Sequence, residues 1–312
     1  MSDANDGEAQ PKEPEVEEYS KKKIIIYYSL TVGIVILVVV VALILAIKFD
    51  DPMPEGLLLK YVADEDDAKV TLFSSSLKDS ISSLTIDDTK LTEITNEYTF
   101  KKGEHSVQVE FSKDLETMKE LFAKCTNLVE VDFSQINTAK VTSMEGLFKG
   151  CSKLESVTLE DTSSVESMKD MFDSCSSLKG LNLGYFQTSK VTDMSNMFSG
   201  TALTSLVLSS FDTSSVKDMS SMFYDMKDIT SLDLKNFDTS KVTKMDNTFA
   251  KCPNLKTLDI SKFSSASLVS SKNMFDGVAQ NGTVTYNPEL FKDDNFADTD
   301  VEFWEKKTVA TK

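Results

Sequence analysis

Residues 211–223 read Phe-Asp-Thr-Ser-Ser-Val-Lys-Asp-Met-Ser-Ser-Met-Phe, and close copies of this stretch recur along the chain. The final phenylalanine of each copy follows the previous one after 24 to 26 residues. A methionine stands four residues before six of these seven phenylalanines, and valine or leucine stands three residues earlier still. The column comprises Phe122, Phe148, Phe172, Phe198, Phe223, Phe249 and Phe275. Such a period is typical of repeat proteins, whose units bury their apolar faces only by stacking.

The repeat predicts two kinds of local structure. Valine, two methionines and phenylalanine, spaced i, i+3, i+6 and i+7, predict the apolar face of a short helix. The Asp-Thr-Ser stretch at residues 212–214 suits a helix N-terminus, because its oxygens accept free backbone N–H groups. Leu232-Asp233-Leu234 and its counterparts alternate in polarity, which predicts short strands. Stacked copies therefore predict one parallel sheet with short helices opposite it and a core of methionine and phenylalanine.

Three copies, residues 187–198, 211–223 and 237–249, resemble the signature of the BspA-like leucine-rich repeats. The match extends over residues 115–286. This resemblance implies a leucine-rich-repeat solenoid on the surface of a microbe, either bacterial or protist. It also implies a surface role, because some members of that family are adhesins that bind host or matrix proteins.

The uncharged segment at residues 24–47 predicts a transmembrane helix. Its 24 residues, at about 1.5 Å each, exceed a hydrocarbon core of roughly 30 Å. A cleaved signal peptide is the alternative, but its apolar core usually has about 7 to 15 residues and ends in small side chains. Residues 21–23 are all lysine, and basic residues favour the cytosolic side. The sequence thus predicts a single-pass type II protein of the plasma membrane with its C-terminal domain extracellular.

The predicted fold class is an α/β repeat, a leucine-rich-repeat-like solenoid with a parallel sheet, preceded by one N-terminal transmembrane helix. Leu91, Ile94 and Tyr98 match the valine, methionine and phenylalanine columns loosely and indicate degenerate repeats upstream. The predicted segments are the disordered acidic cytosolic tail 1–23, the transmembrane signal-anchor helix 24–47, the N-terminal cap with degenerate repeats 48–111, the leucine-rich-repeat solenoid 112–290 and the C-terminal cap 291–312.

Composition argues against most enzymes and against nucleic acid as a partner. The 312 residues include 33 basic and 50 acidic side chains, which gives a formal net charge of -17. Every basic residue is lysine, so the sequence offers no arginine fork for phosphates. His105 is the only histidine and follows a predicted turn, and no nucleophile-elbow, phosphate-loop or zinc-protease motif occurs. We therefore predict no enzyme, no cofactor and no metal site.

The four cysteines each lie three residues after a column phenylalanine, where other repeats carry threonine, methionine or valine. They are Cys125, Cys151, Cys175 and Cys252. A position that accepts these residue types predicts buried free thiols. Pairing of Cys151 with Cys125 or with Cys175 between adjacent repeats is the alternative.

Asn281-Gly282-Thr283 is the only N-x-[ST] sequon of the sequence. It makes Asn281 a candidate for glycosylation in a eukaryotic secretory pathway. The same Asn-Gly pair also favours a turn, so the motif has a purely structural alternative.

The middle residues of the predicted strands form a polar column on the exposed face of the sheet. We predict that it binds a partner through Asp132, Thr158, Asn182, Asp233 and Asp259. The face lacks the aromatic and arginine side chains that dominate tight interfaces, so weak contacts multiplied over many copies are expected.

The predicted function is a single-pass cell-surface protein whose ectodomain serves adhesion or recognition, with an unidentified protein or glycan ligand on a host, matrix or neighbouring cell. The alternative is a structural surface coat or an intracellular membrane-anchored scaffold with no dedicated ligand.

Overall fold

Twelve short strands and one 3-10 helix, Ser75–Ser80, are the regular elements of residues 56–287 and 305–308, the part of the chain that the computed structural model describes. The strands are β1 (Leu57–Ala63), β2 (Ala68–Thr71), β3 (Ile81–Ile86), β4 (Thr89–Lys90), β5 (Glu97–Phe100), β6 (Gly103–Phe111), β7 (Leu128–Asp132), β8 (Ser156–Thr158), β9 (Ser231–Asp233), β10 (Thr257–Ile260), β11 (Thr283–Tyr286) and β12 (Glu305–Thr308).

The first sheet has the strand order β4-β3-β6-β1-β7-β8. Its strands pair antiparallel except for β7 and β8, which are parallel. Strand β1 buries Leu57, Leu59 and Tyr61, because successive side chains of a strand point to opposite faces. Strands β2 and β5 form a separate antiparallel pair. The first sheet thus joins the N-terminal strands directly to the first two repeats.

The second sheet has the order β12-β11-β10-β9 and is parallel throughout. Leu232, Leu258 and Val284 stand in register across it, and all three are buried. Each comes from the same position of its repeat, nine residues after the column phenylalanine. The register of the sheet therefore follows the register of the repeats.

Two repeats interrupt the parallel pairing. Residues 181–183 and 206–208, where the pattern predicts strands, hold none. Gly180 and Gly184 flank the first segment, and glycine disfavours strands because it has no side chain to pack. In the second segment, one residue fewer separates the column phenylalanine from the strand position than in the neighbouring repeats. The predicted single sheet is therefore two sheets separated by two irregular repeats.

Consecutive β-turns replace the predicted helices. In the first repeat the N–H of Leu121 donates to the carbonyl of Met118, three residues earlier, at 3.2 Å. The next N–H, that of Phe122, donates instead to the carbonyl of Leu147 in the following repeat at 2.9 Å. An α-helix uses each interior N–H for a carbonyl four residues earlier. Bonding between repeats and a helix therefore exclude each other at these residues.

These bonds between repeats form what we call the forward ladder. In it, alternate N–H groups of one turn segment donate to carbonyls of the next repeat. At its start, the carbonyl of Leu121 accepts the N–H of Ser74 at 2.8 Å, so the N-terminal part of the chain supplies the first donor. The phenylalanine N–H groups take part at 2.9 to 3.0 Å in six successive repeats, those of Phe122, Phe148, Phe172, Phe198, Phe223 and Phe249.

Two residues of each turn segment adopt a positive φ, and in the first repeat they are Glu120 (53°) and Lys124 (63°). This conformation crowds the Cβ of any residue other than glycine and costs roughly 1 to 2 kcal/mol. Gly150, with a φ of 76°, occupies the place of Lys124 in the next repeat.

We expect Lys124→Gly to raise the free energy of unfolding in urea by about 0.5 to 1 kcal/mol. Lys124→Ala keeps the Cβ and is the control, and an equal gain for alanine would contradict the conformational explanation.

Stacked phenylalanine rings form the centre of the repeats. The centroids of successive column phenylalanines lie 5.4 to 6.1 Å apart, and the rings are nearly parallel. The column methionines pack beside them with no exposed surface. The prediction that these two columns form the core is confirmed. A second aromatic stack, Phe186, Phe211 and Phe237, runs alongside with centroid distances of 6.2 and 6.5 Å.

A buried threonine also links each repeat to the next, in what we call the threonine ladder. Its members are Thr138, Thr162, Thr188, Thr213 and Thr239. The Oγ1 of Thr188 donates to the carbonyl of Asp212 at 2.9 Å and accepts the N–H of the same residue at 2.8 Å. Asp212 Oδ1 accepts the N–H of Ser214 at 3.0 Å. The prediction that these residues begin a helix is wrong, because their oxygens instead close a turn and join two repeats.

The predicted fold class, an α/β leucine-rich-repeat-like solenoid with a parallel sheet behind a transmembrane helix, is therefore wrong. The described residues consist of strands, turns and irregular segments with a single 3-10 helix, and the parallel strands fall into two sheets. No helix in residues 56–287 or 305–308 is both long and apolar enough to cross a membrane. The predicted tail and anchor, residues 1–23 and 24–47, and most of the predicted C-terminal cap lie outside the described residues.

Candidate partner-binding surface

The structure divides the predicted polar column between the two sheets. Asp132 pairs with Thr158 across β7 and β8, and Asp233 pairs with Asp259 across β9 and β10. Asn182 lies between these pairs in a segment that is not a strand. The side chains are exposed or half-buried. The column is thus two short polar patches with an irregular stretch between them.

Four of the five predicted residues have a structural role that the sequence reasoning missed. Each uses its side-chain Oδ1 to accept the backbone N–H two residues later, which is an Asx turn. The distance from the backbone nitrogen to Oδ1 is 2.8 to 3.2 Å, and the acceptors are Asp132, Asn182, Asp233 and Asp259. The available signal was the recurrence of Asp or Asn directly before a turn. The Oδ1 atom of each of these side chains is therefore used in a hydrogen bond within the fold.

Charge on the second patch is partly neutralised within the chain. The Lys235 ammonium lies 2.5 Å from Asp233 Oδ2, and this hydrogen bond lowers the pKa of Asp233. Both side chains are more than half exposed, so the pair contributes little to stability. Asp259 Oδ1 accepts the N–H of Ser261 at 3.0 Å. No lysine forms an ion pair with Asp259 among the described residues, although Lys235 interacts with it electrostatically at longer range.

The cysteines form a buried series and not a chemical site. All four thiols are free and buried, and three donate to the carbonyl of the phenylalanine in the preceding repeat. Cys252 Sγ, for example, lies 2.9 Å from the carbonyl oxygen of Phe223. Burial raises the pKa of Cys252 to about 12 and that of Cys125 equally, so the thiolate that reacts as a nucleophile is suppressed.

His105, which the sequence placed after a predicted turn, lies within β6. Its Nδ1 lies 2.7 Å from Asp87 Oδ2, and its Nε2 lies 2.7 Å from the carbonyl oxygen of Lys101. The ring stacks on Phe100 with 4.2 Å between centroids. Both partners are hydrogen-bond acceptors, and the two ring nitrogens can donate to them together only when both carry a proton. This geometry therefore favours the charged imidazolium. The single histidine thus links three chain segments of the N-terminal part.

This link predicts a pH-dependent stability. Burial opposes the charge, but the hydrogen bonds to Asp87 and to the Lys101 carbonyl outweigh it and raise the pKa of His105. Stabilisation by a group with a raised folded-state pKa is complete below its unfolded-state pKa of about 6.5 and is lost as the pH rises through the folded-state pKa. We expect the difference in unfolding free energy between wild type and His105→Gln to be largest at about pH 5.5 and smallest above about pH 8. Urea titrations at both pH values test this, and a constant difference would contradict it.

Other predicted features are placed but not assigned a role. Asn281 is exposed in the turn before β11, so its side chain is accessible, and its glycosylation stays a prediction. Within the described residues, no group of three or more His, Cys, Asp or Glu side chains is arranged to hold a metal ion. The sequence patterns also do not identify Tyr185, which is 63% exposed near the irregular segment. Tyr185 lies outside the repeating columns, so no periodic signal marks it.

Comparison with protein families gives three overlapping matches, residues 116–207, 166–287 and 233–311. All three are to the family described as Mycoplasma protein of unknown function, DUF285. No curated protein matches the chain, and no solved structure does. The family matches together run from residue 116 to residue 311, more than half of the 312 residues, and they include nearly all of the stacked repeats. The chain therefore belongs to the DUF285 family of Mycoplasma proteins of unknown function.

Proposed function

We propose that this protein is a recognition protein of the cell surface, whose stacked repeats bind a protein or glycan ligand on another cell or on matrix. The observation that carries the proposal is the contrast between the inside and the outside of the repeats. Inside, the same valine, methionine, phenylalanine and threonine positions recur and are buried. Outside, the column changes from aspartate to threonine, asparagine and valine along the chain.

This contrast separates what folding requires from what a partner can use. Threonine at residue 158 and valine at residue 207 stand where other repeats use an Asx turn, so the fold tolerates different side chains there. Repeat proteins commonly bind through extended surfaces of this kind. The resemblance of residues 211–223 to repeats that occur in adhesins also supports the proposal.

Binding of the purified full chain to intact cells and to matrix tests the proposal. Asp233→Asn and Asp259→Asn remove the charge but keep the Oδ1 acceptor of the Asx turn, as Asn182 shows in the same column. We expect the double variant to bind about three- to tenfold more weakly, because charged contacts at an exposed surface contribute about 0.5 to 1.5 kcal/mol. Asp228→Asn is the matched control for each single variant, since it also removes one charge and Asp228 is exposed and outside the column. Equal weakening by the control would show only an effect of net charge.

A structural coat or an intracellular scaffold with no dedicated ligand is the alternative. It predicts no saturable binding to any cell or matrix component. The location is tested separately by tagging the C-terminus and treating intact cells with protease. Loss of the tag agrees with an extracellular repeat domain. A tag that survives until the cell is opened would contradict a surface role.

A further inference from the structure

A cleft of about 510 Å³ opens beside the exposed ring of Tyr185. Its origin is a shortened repeat. From the last strand-position residue to the next column valine, the second repeat has two residues fewer than the third. The missing residues correspond to the segment that carries Tyr185 and Phe186 in the third repeat. Phe186 therefore stacks on Phe211 on one side but meets no counterpart of its kind in the preceding repeat.

The walls of the cleft combine an aromatic ring with carboxylates. They include Glu160, Gln187, Ser210 and Asp212, and no lysine lines them. Glu160 is exposed and has no ion pair or hydrogen bond of its side chain within the described residues. The hydrogen bonds from Ser214 lower the pKa of Asp212, so its carboxylate stays ionised. Tyr185 is one of the few large apolar side chains of the described residues that remain mostly exposed.

A cation–π contact elsewhere in the chain shows the kind of interaction that we expect in this cleft. Lys251 Nζ lies 5.0 Å from the ring centroid of Tyr224, which belongs to the preceding repeat. A cation over the face of a tyrosine is attracted by the negative potential of the ring. Around Tyr185, within the described residues, no lysine takes that place. The net charge of -17 further favours the approach of a cationic partner over an anionic one.

We propose that this cleft binds an arginine or lysine side chain of a basic segment of a partner protein, with Tyr185 under the cation and Glu160 and Asp212 beside it. The inference rests on the proposed recognition function and names a site outside the polar column. Arginine suits the cleft best, because its planar guanidinium stacks on a ring and also donates to carboxylates. The chain itself has no arginine, so an arginine in the cleft comes from a different protein.

Fluorescence anisotropy with the purified full chain tests the site. The probe is a fluorescein-labelled peptide that carries two arginines among glycine and serine, and the control peptide carries neutral citrulline instead. We expect Tyr185→Ala and Glu160→Gln each to weaken binding about three- to fivefold, whereas Tyr185→Phe, which keeps the ring, stays within about twofold of wild type. Asp228→Asn is the matched charge control and is expected to change binding less than about twofold.

Several outcomes overturn the proposal. Equal weakening by Asp228→Asn, or equal binding of the citrulline peptide, would reduce the contact to unspecific charge attraction. Saturable binding of a neutral oligosaccharide that Tyr185→Ala abolishes would make the cleft a glycan site. If the full chain binds cells through Asp233 and Asp259 but Tyr185→Ala changes neither cell nor peptide binding, the cleft proposal fails and the proposed function stands. If no cell or matrix component binds, the proposed function fails, and the peptide assay alone decides on the cleft.

Discussion

Replacing Phe198 with alanine is expected to lower the free energy of unfolding by about 3 to 5 kcal/mol. The side chain is completely buried, and its ring stacks between Phe172 at 6.1 Å and Phe223 at 6.0 Å. Its removal leaves a cavity that the neighbours cannot fill, because the forward ladder fixes the spacing of the backbones on both sides. Urea unfolding of the full chain, followed by circular dichroism, measures the loss.

Phe198→Leu is the control for this prediction. Leucine retains most of the buried volume, so we expect a smaller loss of about 1 to 2 kcal/mol. Thermal unfolding of both variants should give the same order. A loss below about 1 kcal/mol for alanine would mean that the stack closes around the gap and that the ring column is not a rigid core.

Thr188→Val is expected to lower the free energy of unfolding by about 2 to 3 kcal/mol, although valine has nearly the same shape. The Thr188 hydroxyl donates to the carbonyl of Asp212 and accepts its N–H, and Thr188 is almost completely buried. Valine offers neither function, so one donor and one acceptor lose their partner. Leaving such groups unpaired costs more than a hydrogen bond contributes on average.

Thr188→Ser keeps the hydroxyl and loses only a methyl group, so we expect a cost of about 1 kcal/mol. The comparison of serine with valine therefore separates hydrogen bonding from packing. If valine is as stable as wild type, the threonine ladder is a packing feature only. Amide hydrogen exchange at Asp212 gives an independent measurement, and the valine variant is expected to exchange faster there.

The period of the sequence predicted the stacking and the core but not the local backbone. Phenylalanine and methionine columns lie inside as expected, because burial follows apolar character whatever the backbone does. The spacing i, i+3, i+6, i+7 fits a helix, but it fits consecutive turns equally well. A signal for the turns was present. Two residues after the column methionine, several repeats carry Gly, Asp or Asn, which tolerate a positive φ, as at Gly146, Asp170 and Asn196.

The candidate surface was predicted in part. Alternation in the strand tripeptides placed Asp233 and Asp259 on the outer face, and the structure leaves both accessible there. Their Asx turns were not foreseen, because the alternation pattern says nothing about the residue two positions later. The cleft at Tyr185 was not foreseen either. It arises from the two residues that the second repeat lacks, and a search for regular columns passes over irregular repeats.

The forward ladder gives the turn segments of successive repeats matching backbone edges. Each turn segment offers acceptors to the repeat before it and donors to the repeat after it, and Ser74 supplies the first donor from outside the series. A duplicated copy inserted between two others would find donors in the repeat before it and acceptors in the repeat after it, as the original copy does. Loss of a whole copy would rejoin edges that already match. Gain or loss of an entire unit is therefore expected to keep the backbone hydrogen bonds at the new junction and to shift the exposed residues along the array.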